Sequence, residues 1–246
     1  LGSSLIVRFD TVNGAMTIPA RTDYGAIEAY GASANARTLT LAGTTTTASY
    51  FYVIADNTTG GNNVTVSGTA NNPAVNVGTD LDFTGTQAAT EIIQTGTSTW
   101  TVSGNVDLTG GTYTATSGNL LKMNGTTKTL TTNANALHHF EVSAGSTTMS
   151  GTTTLNGNLT ISGGTLTAPS SGALNVAGNW NNSGGTFTDN SSTVTLNGSS
   201  QQTAQGTMTG TSDFNNLTIT NSSGSDPDAS PSVIFGAAAT TTGTFT

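Results

Sequence analysis

The chain alternates apolar and polar residues in many short runs, a pattern with a period of two. In Thr186-Phe187-Thr188 a phenylalanine stands between two threonines, and Thr193-Val194-Thr195-Leu196 continues the same alternation. Such runs predict β-strands with one face in the core and one in water. The apolar members that we therefore place in the core are Leu108, Tyr113, Leu159, Ile161, Leu166, Phe187, Val194, Leu196, Leu217 and Ile219.

One signature, G-N-x-x-x-x-G-G-T-x-T, begins at Gly104, at Gly157 and at Gly178. The last two copies lie 21 residues apart, a spacing that suits one turn of a β-solenoid in which each repeat stacks on the next. Over the whole chain this spacing predicts about twelve turns. Asn-Gly pairs such as Asn156-Gly157 would mark type I′ turns in hairpins or corners in a solenoid, and the pattern leaves both open.

These patterns predict an all-β protein, a parallel β-helix (β-solenoid) with a diverged N-terminal part, and tandem β-sandwich domains are the alternative. Residues 1–95 lack the signature and form a diverged N-terminal β region suited to act as a cap or an assembly segment. Residues 96–246 form the repeat-built solenoid. We expect it to be truncated within a repeat, because the run at Val233-Ile234-Phe235 begins a unit without a further G-N segment.

Composition narrows the function. Only 7% of the residues are charged, and the net charge is −8 with five Lys and Arg in total. Binding to nucleic acid is not expected, because neutralising phosphates needs clustered positive charge. No apolar run approaches the roughly 20 residues that a membrane-spanning helix requires. Helix-favouring Glu, Lys, Arg and Gln are scarce, so long helices are not expected either.

Two segments, Leu174-Asn175-Val176-Ala177-Gly178-Asn179-Trp180 and Phe214-Asn215-Asn216-Leu217-Thr218-Ile219, resemble secreted bacterial repeat proteins of the β-helix, filamentous-adhesin type. The resemblance covers roughly residues 95–246. It implies a parallel β-helix, an extracellular or cell-surface location, and an adhesive or scaffolding role. It brings no catalytic residues with it, and we predict a protein that is not an enzyme and uses no cofactor.

Two pairs of carboxylates are weak Ca²⁺ candidates: Asp80 with Asp82, and Asp226 with Asp228. Neither pair has the dense run of ligands that known Ca²⁺ loops provide, so we predict no metal site. The adjacent His138 and His139 would point to opposite faces of a strand, which does not suit one metal ion.

We expect an extracellular structural protein, either a filament or surface-layer subunit or an adhesin stalk, that assembles end to end. Its partners would be other copies of itself, head to tail, and surface glycans. Strand-like terminal segments could pair with a neighbouring copy by β-augmentation. The assembly candidates are Leu5, Ile6, Val7, Phe9, Thr244 and Phe245.

A carbohydrate-binding or carbohydrate-cleaving β-helix is the alternative function. A groove lined by aromatic residues together with carboxylates would favour it, whereas a uniform Thr, Asn and Ser surface would favour a structural role. Ice binding through T-x-T faces is a minor alternative, although the pairs are spaced too irregularly for one continuous rank. These pairs are Thr112/Thr114, Thr165/Thr167, Thr186/Thr188, Thr207/Thr209 and Thr218/Thr220.

Overall fold

The computed structural model describes residues 5–10, 14–31, 36–56, 63–85, 91–224 and 231–246. These residues form short β-strands and one 3-10 turn at Gly210–Ser212, and the strands stack into a β-solenoid of about nine turns. The predicted parallel β-helix is therefore confirmed. Within the described ranges, no helix is both long enough and apolar enough to cross a membrane.

The chain divides into two compact units, residues 1–121 (unit 1) and 122–246 (unit 2). The boundary that we drew from the sequence, between residues 95 and 96, separates the residues that lack the signature from those that carry it. The boundary between the two compact units lies elsewhere, after residue 121. In chain order, the strands of unit 1 are β1 (Ile6–Asp10), β2 (Gly14–Ile18), β3 (Arg21–Tyr24), β4 (Ala26–Gly31), β5 (Arg37–Leu41), β6 (Thr45–Thr47), β7 (Phe51–Ala55), β8 (Val64–Ser67), β9 (Ala74–Val77), β10 (Leu81–Phe83), β11 (Glu91–Gln94), β12 (Thr99–Val102), β13 (Val106–Asp107) and β14 (Thr112–Thr114).

Every third strand of unit 1 belongs to the same stack, and neighbours in a stack pair in parallel. Stack 1A has the order β1-β4-β7-β10-β13, stack 1B is β2-β5-β8-β11-β14, and stack 1C is β3-β6-β9-β12. The turns are long. Asn76 donates a side-chain hydrogen bond to the hydroxyl of Thr46, 30 residues earlier, at 3.2 Å.

Strand β15 (Leu120–Met123) contains the boundary between the units. The strands of unit 2 that follow are β16 (Lys128–Thr131), β17 (His139–Val142), β18 (Ser146–Ser150), β19 (Thr153–Leu155), β20 (Leu159–Ile161), β21 (Thr165–Thr167), β22 (Ala173–Val176), β23 (Trp180–Asn182), β24 (Thr186–Thr188), β25 (Thr193–Leu196), β26 (Gln202–Gly206), β27 (Asn216–Ile219) and β28 (Val233–Phe235).

Unit 2 also has three parallel stacks, and most of its turns are shorter. Stack 2A is β16-β18-β21-β24, stack 2B is β19-β22-β25-β27, and stack 2C is β17-β20-β23-β26-β28. Asn175 contacts Thr154, its counterpart 21 residues earlier. The 21-residue turn thus holds between the last two copies of the signature. About twelve turns was wrong and about nine is observed, because turns elsewhere reach 30 residues.

The interior of each unit is filled by the apolar members of the alternating runs. All of the predicted core residues are buried except Ile219. Ile219, the last residue of β27, is half-buried, whereas Leu217 of the same strand is buried and bridges to Phe245. The register of side chains predicted from the period-two pattern is therefore confirmed for the other members of that set.

Close stacking explains the G-N and G-G positions of the signature. The side-chain oxygen of Asn158 accepts a hydrogen bond from the backbone N–H of Asn179, one turn later, at 2.9 Å. A Cβ on Gly164, whose φ is +70°, would lie 2.4 Å from the carbonyl oxygen of Gly145. Asn156-Gly157 joins β19 to β20, which belong to different stacks, so this pair forms a solenoid corner and not a hairpin.

Candidate functional site

The outer side of stack 1A carries a row of tyrosine and carboxylate side chains. Residues alternate along a strand, so the strands that bury Ile27, Phe51 and Leu81 turn the residues after them outward. The strand register then places these outward residues side by side in the order Glu28, Tyr52, Asp82, Asp107. With the half-buried Tyr30 and Tyr50 nearby, we call this surface the tyrosine–carboxylate face.

Neighbouring side chains hold the tyrosine rings in place. The rings of Tyr50 and Tyr52 stack with centroids 4.1 Å apart and planes 20° apart. The Tyr50 hydroxyl donates a hydrogen bond to Glu28 at 3.1 Å. Arg8 pairs with Glu28 at 2.7 Å, and its guanidinium carbon lies 4.3 Å from the centroid of the Tyr30 ring. The face is thus a connected set of contacts across β1, β4 and β7.

The carboxylates of this face influence one another. Burial, reinforced by the negative charges of Asp107 and Asp80, raises the pKa of Asp82 to about 6. Burial also raises the pKa of Tyr52, and Asp80 and Asp82 add to that shift. The row therefore gains negative charge as the pH rises through 6.

Of the Ca²⁺ candidates, the structure describes Asp80 and Asp82, and these two have other surroundings. Asp80 accepts a hydrogen bond from the backbone N–H of Asn105 at 2.7 Å, which is the corner role that Asn158 plays in unit 2. Asp82 is part of the tyrosine–carboxylate face, and Asp226 and Asp228 lie outside the described residues. In the part of the chain that the structure describes, no group of three or more His, Cys, Asp or Glu could hold a metal ion.

The two histidines have a structural role at the same kind of corner. The backbone N–H of Asn158 donates to Nδ1 of His139 at 2.9 Å, and the rings of His138 and His139 meet edge to face at 4.2 Å. Burial lowers the pKa of both side chains. This contact favours the neutral form of His139, because its Nδ1 accepts a hydrogen bond.

A buried carboxyl group lies inside unit 1. Glu91, at the start of β11, is 1% exposed, and it accepts hydrogen bonds from the backbone N–H groups of Ala55, at 2.9 Å, and Gly85. Burial raises the pKa of Glu91 to about 7, although the two backbone hydrogen bonds oppose the shift. Sequence reasoning missed this residue. One signal in the sequence could have revealed it: Glu91 stands two positions before the buried Ile93, so both side chains lie on the same side of the strand.

Stack 2A of unit 2 presents hydroxyl groups where stack 1A presents tyrosines and carboxylates. Thr129, Thr148, Thr167 and Thr188 are consecutive register partners, and Ser146, Thr165 and Thr186 form a second column beside them. We call this surface the threonine face. Two of the T-x-T pairs, Thr165/Thr167 and Thr186/Thr188, therefore stack in register. The irregular spacing of the five pairs along the sequence did not indicate this alignment.

The other T-x-T pairs lie elsewhere. Thr112 and Thr114 belong to β14 in unit 1, and Thr218 lies in β27 with Thr220 just after it. Thr207 and Thr209 lie outside the named strands, on either side of the buried Met208. A single rank of all five pairs does not form.

The assembly candidates occupy the first described strand and the last turn. Leu5 and Ile6 are 44% and 51% exposed, while Val7 and Phe9 are half-buried. In unit 2, Phe245 is 60% exposed and the neighbouring Thr244 is exposed too. An apolar cavity of about 410 Å³ lies beside Phe245, and its other lining residues are Leu217, Phe235, Ala239 and Thr241.

Comparison with protein-family models, with curated proteins and with solved structures gives no match for this chain. The class that the fold itself defines is the parallel β-solenoid. Its function must therefore be argued from its own surfaces.

Proposed function

We propose that this chain is an extracellular structural protein, a filament or surface-layer subunit or an adhesin stalk, whose copies assemble end to end. One observation carries the proposal. Among the described residues, the large apolar side chains that stand exposed are Leu5, Ile6, Ile234 and Phe245. Leu5 and Ile6 lie just before and at the start of β1, and Ile234 and Phe245 lie in the last turn. Exposed apolar patches commonly mark sites of protein association.

The chemistry of both regions suits a contact between copies. In stack 1A, β1 has one described partner, β4, so the backbone groups along its other edge are open to a further strand. The cavity beside Phe245 offers apolar walls to the Leu5 and Ile6 side chains of a neighbouring copy. A contact that joins two different surfaces does not close on itself, and it generates a filament.

The extracellular location is supported by composition and by the resemblance to secreted repeat proteins. The chain has few charged residues, and its stacked outer positions in unit 2 are hydroxyl and amide side chains. Such an uncharged polar surface suits a role in holding shape.

Two charge-introducing variants test the assembly. Ile6→Lys and Phe245→Lys each alter one side of the proposed contact, and Thr148→Lys on the threonine face is the matched control. Light scattering of the wild type and of the control should show mass rising with concentration, while each variant alone remains monomeric. In an equimolar mixture, the unaltered Phe245 surface of the Ile6→Lys variant can bind the unaltered Ile6 surface of the Phe245→Lys variant. Because the other surface of each partner is altered, assembly should stop at dimers. A wild type that remains monomeric at high concentration contradicts the proposal.

The threonine face supports ice binding as a second candidate. Its hydroxyl and methyl groups repeat every ~4.8 Å between strands and every ~6.6 Å along a strand, a regular array facing water. Inhibition of ice recrystallisation is the measurement. We expect Thr167→Lys to abolish it and Thr195→Lys, on stack 2B, to leave it unchanged. Equal activity of both variants, or no activity in the wild type, excludes this candidate.

A further inference from the structure

The tyrosines of this protein that are not buried lie together on one surface. Its five tyrosines all lie in unit 1, and two of them, Tyr24 and Tyr113, are buried. The other three, Tyr30, Tyr50 and Tyr52, are half-buried on the outer side of stack 1A. Core packing does not require aromatic side chains at outward positions, so their presence together calls for another explanation.

The same surface carries the groups that bind sugar hydroxyls. Glu28, Asp82 and Asp107 lie in one row with Tyr52, on four consecutive strands of stack 1A. Carboxylate oxygens accept hydrogen bonds from hydroxyl groups, and a tyrosine ring offers a flat apolar surface to the C–H groups of a sugar ring. We propose that the tyrosine–carboxylate face binds a neutral polysaccharide that lies across β4, β7, β10 and β13.

The spacing of the row favours a polymer over a single sugar. Neighbouring strands are ~4.8 Å apart, so the four strands from Glu28 to Asp107 extend over about 14 Å. One sugar ring can contact only part of a row of that length. A chain of several rings reaches Tyr52 and the carboxylates on both sides of it.

The charge of the face disfavours an anionic ligand. Its acidic residues outnumber its one cation, Arg8, which is already paired with Glu28 at 2.7 Å. Asp10, at the end of β1, adds a further carboxylate beside its register partner Tyr30. An anionic polysaccharide would be repelled, whereas the rings of a neutral polysaccharide meet no such repulsion and can pack on the tyrosine rings.

The rings are also positioned before any ligand arrives. Tyr52 stacks on Tyr50, the Tyr50 hydroxyl is bonded to Glu28, and Arg8 lies over Tyr30. Side chains that are already ordered lose little conformational entropy on binding, which raises affinity. A mobile surface tyrosine would lack this advantage.

Affinity electrophoresis in native gels tests the proposal, with soluble β-glucan, xyloglucan, galactomannan and dextran as neutral probes. Alginate serves as the anionic probe and chitosan oligomers as the cationic one. We expect at least one neutral probe to retard the protein and alginate to have no effect. Tyr52→Ala and Tyr30→Ala should each weaken binding about tenfold, and Tyr52→Phe should retain it. Thr167→Ala, on the threonine face, is the control and should bind like the wild type.

Three outcomes overturn the proposal: no neutral probe retards the protein, chitosan alone binds and is released by salt, or Tyr52→Ala and Tyr30→Ala bind like the wild type. The circular dichroism spectra of the tyrosine variants must match that of the wild type, so that a misfolded variant is not mistaken for one with weaker binding. Tyr30→Ala provides a second test, because Tyr30 is not part of the Tyr50–Tyr52 stack. Repeating the gels with Ile6→Lys separates binding from assembly. Retained retardation there shows that binding stands even if the chain does not polymerise.

Discussion

The two tryptophans of the chain show how differently the two units build their interiors. Trp100 of unit 1 is buried, and its indole N–H donates to the hydroxyl of Ser98 at 2.9 Å. Trp180 of unit 2 is equally buried, but its indole nitrogen has no hydrogen-bond partner among the described residues. It packs edge to face against Phe187 and Phe214, with centroids 4.8 Å and 5.0 Å away. Trp100 also meets a phenylalanine, Phe51, edge to face at 5.5 Å, so the two units differ in the polar partner of the indole nitrogen and in the number of aromatic neighbours.

The outer faces differ in a similar way. Stack 1A of unit 1 presents tyrosines and carboxylates, whereas stack 2A of unit 2 presents threonine and serine. Both stacks bury the alternate residues in the same manner, as Phe51 and Leu166 illustrate. The parallel stacking thus constrains the inward positions alone, and the outward positions are available for function.

The largest effect is expected for the aromatic interior of unit 2. Phe187→Ala should reduce the free energy of unfolding by about 3–5 kcal/mol, because it opens a cavity between Trp180 and Phe214. Thr188→Ala changes the next, exposed residue and should cost less than about 0.5 kcal/mol. Chemical denaturation measures both. Similar losses for the two variants would contradict the assigned register.

The tryptophan comparison gives the next effect. Trp100→Phe loses packing and the hydrogen bond to Ser98, so we expect it to cost about 2–3 kcal/mol. Trp180→Phe also loses packing, but it removes a buried donor without a partner, and it should cost about 1 kcal/mol less than Trp100→Phe. Denaturation curves of both variants decide this. An equal cost would mean that the Trp180 nitrogen is satisfied in solution.

Glu91 should give unit 1 a pH-dependent stability. Its pKa is raised to about 7 in the folded state, above its ordinary value of 4.5, so its contribution is full below pH 4.5 and is lost as the pH rises through 7. Asp82, with its pKa raised to about 6, acts in the same direction. We expect Glu91→Gln to flatten the fall in stability between pH 5 and 7.

Hydrogen exchange of the Ala55 amide, which donates to Glu91, measures this effect within unit 1. Glu141→Gln is the matched control on the outer side of unit 2, where Glu141 accepts a hydrogen bond from Ser162. Protection of Ala55 that keeps its full pH dependence in Glu91→Gln would rule out this role.

The smallest effect separates two adjacent threonines of β18. Thr147 points inward and is fully buried, and its hydroxyl has no partner among the described residues, whereas Thr148 is exposed on the threonine face. Thr147→Val should therefore stabilise the protein by up to about 1 kcal/mol, and Thr148→Val should be close to neutral. Both changes keep a β-branched side chain, so strand propensity hardly changes. Thermal unfolding that shows a loss at Thr147 would point to an undetected hydrogen bond.

The sequence alone predicted the stacking and the interior well, because both follow from local patterns. Leu159 and Leu166 are buried as their alternation indicated, and the Asn158 and Asn179 corners repeat at the 21-residue spacing of the signature. The number of turns was less predictable. Thr46 and Asn76 lie on neighbouring turns but 30 residues apart, because the loops between them are long. No repeat in the sequence predicts the lengths of these loops.

The surfaces were harder to predict, because they depend on which turn lies beside which. Tyr50-Phe51-Tyr52 indicates outward tyrosines by its alternation, but nothing local places Asp82, from the following turn, beside Tyr52. Asp80 gave the same difficulty. From the sequence it was a weak Ca²⁺ candidate. In the structure its carboxylate accepts a hydrogen bond from the Asn105 amide, 25 residues later, and so holds a corner.

The turn-by-turn pairing also bears on how the molecule forms during synthesis. Within each unit a strand meets its partner one turn away, at separations such as 19, 21, 25 and 30 residues. Among the described strands, no pairing has to wait for a distant segment, so each turn leaving the ribosome finds the previous one as a template and extends it. A gene for such a chain can gain or lose whole turns by duplication or deletion while each remaining turn keeps a neighbour to stack on.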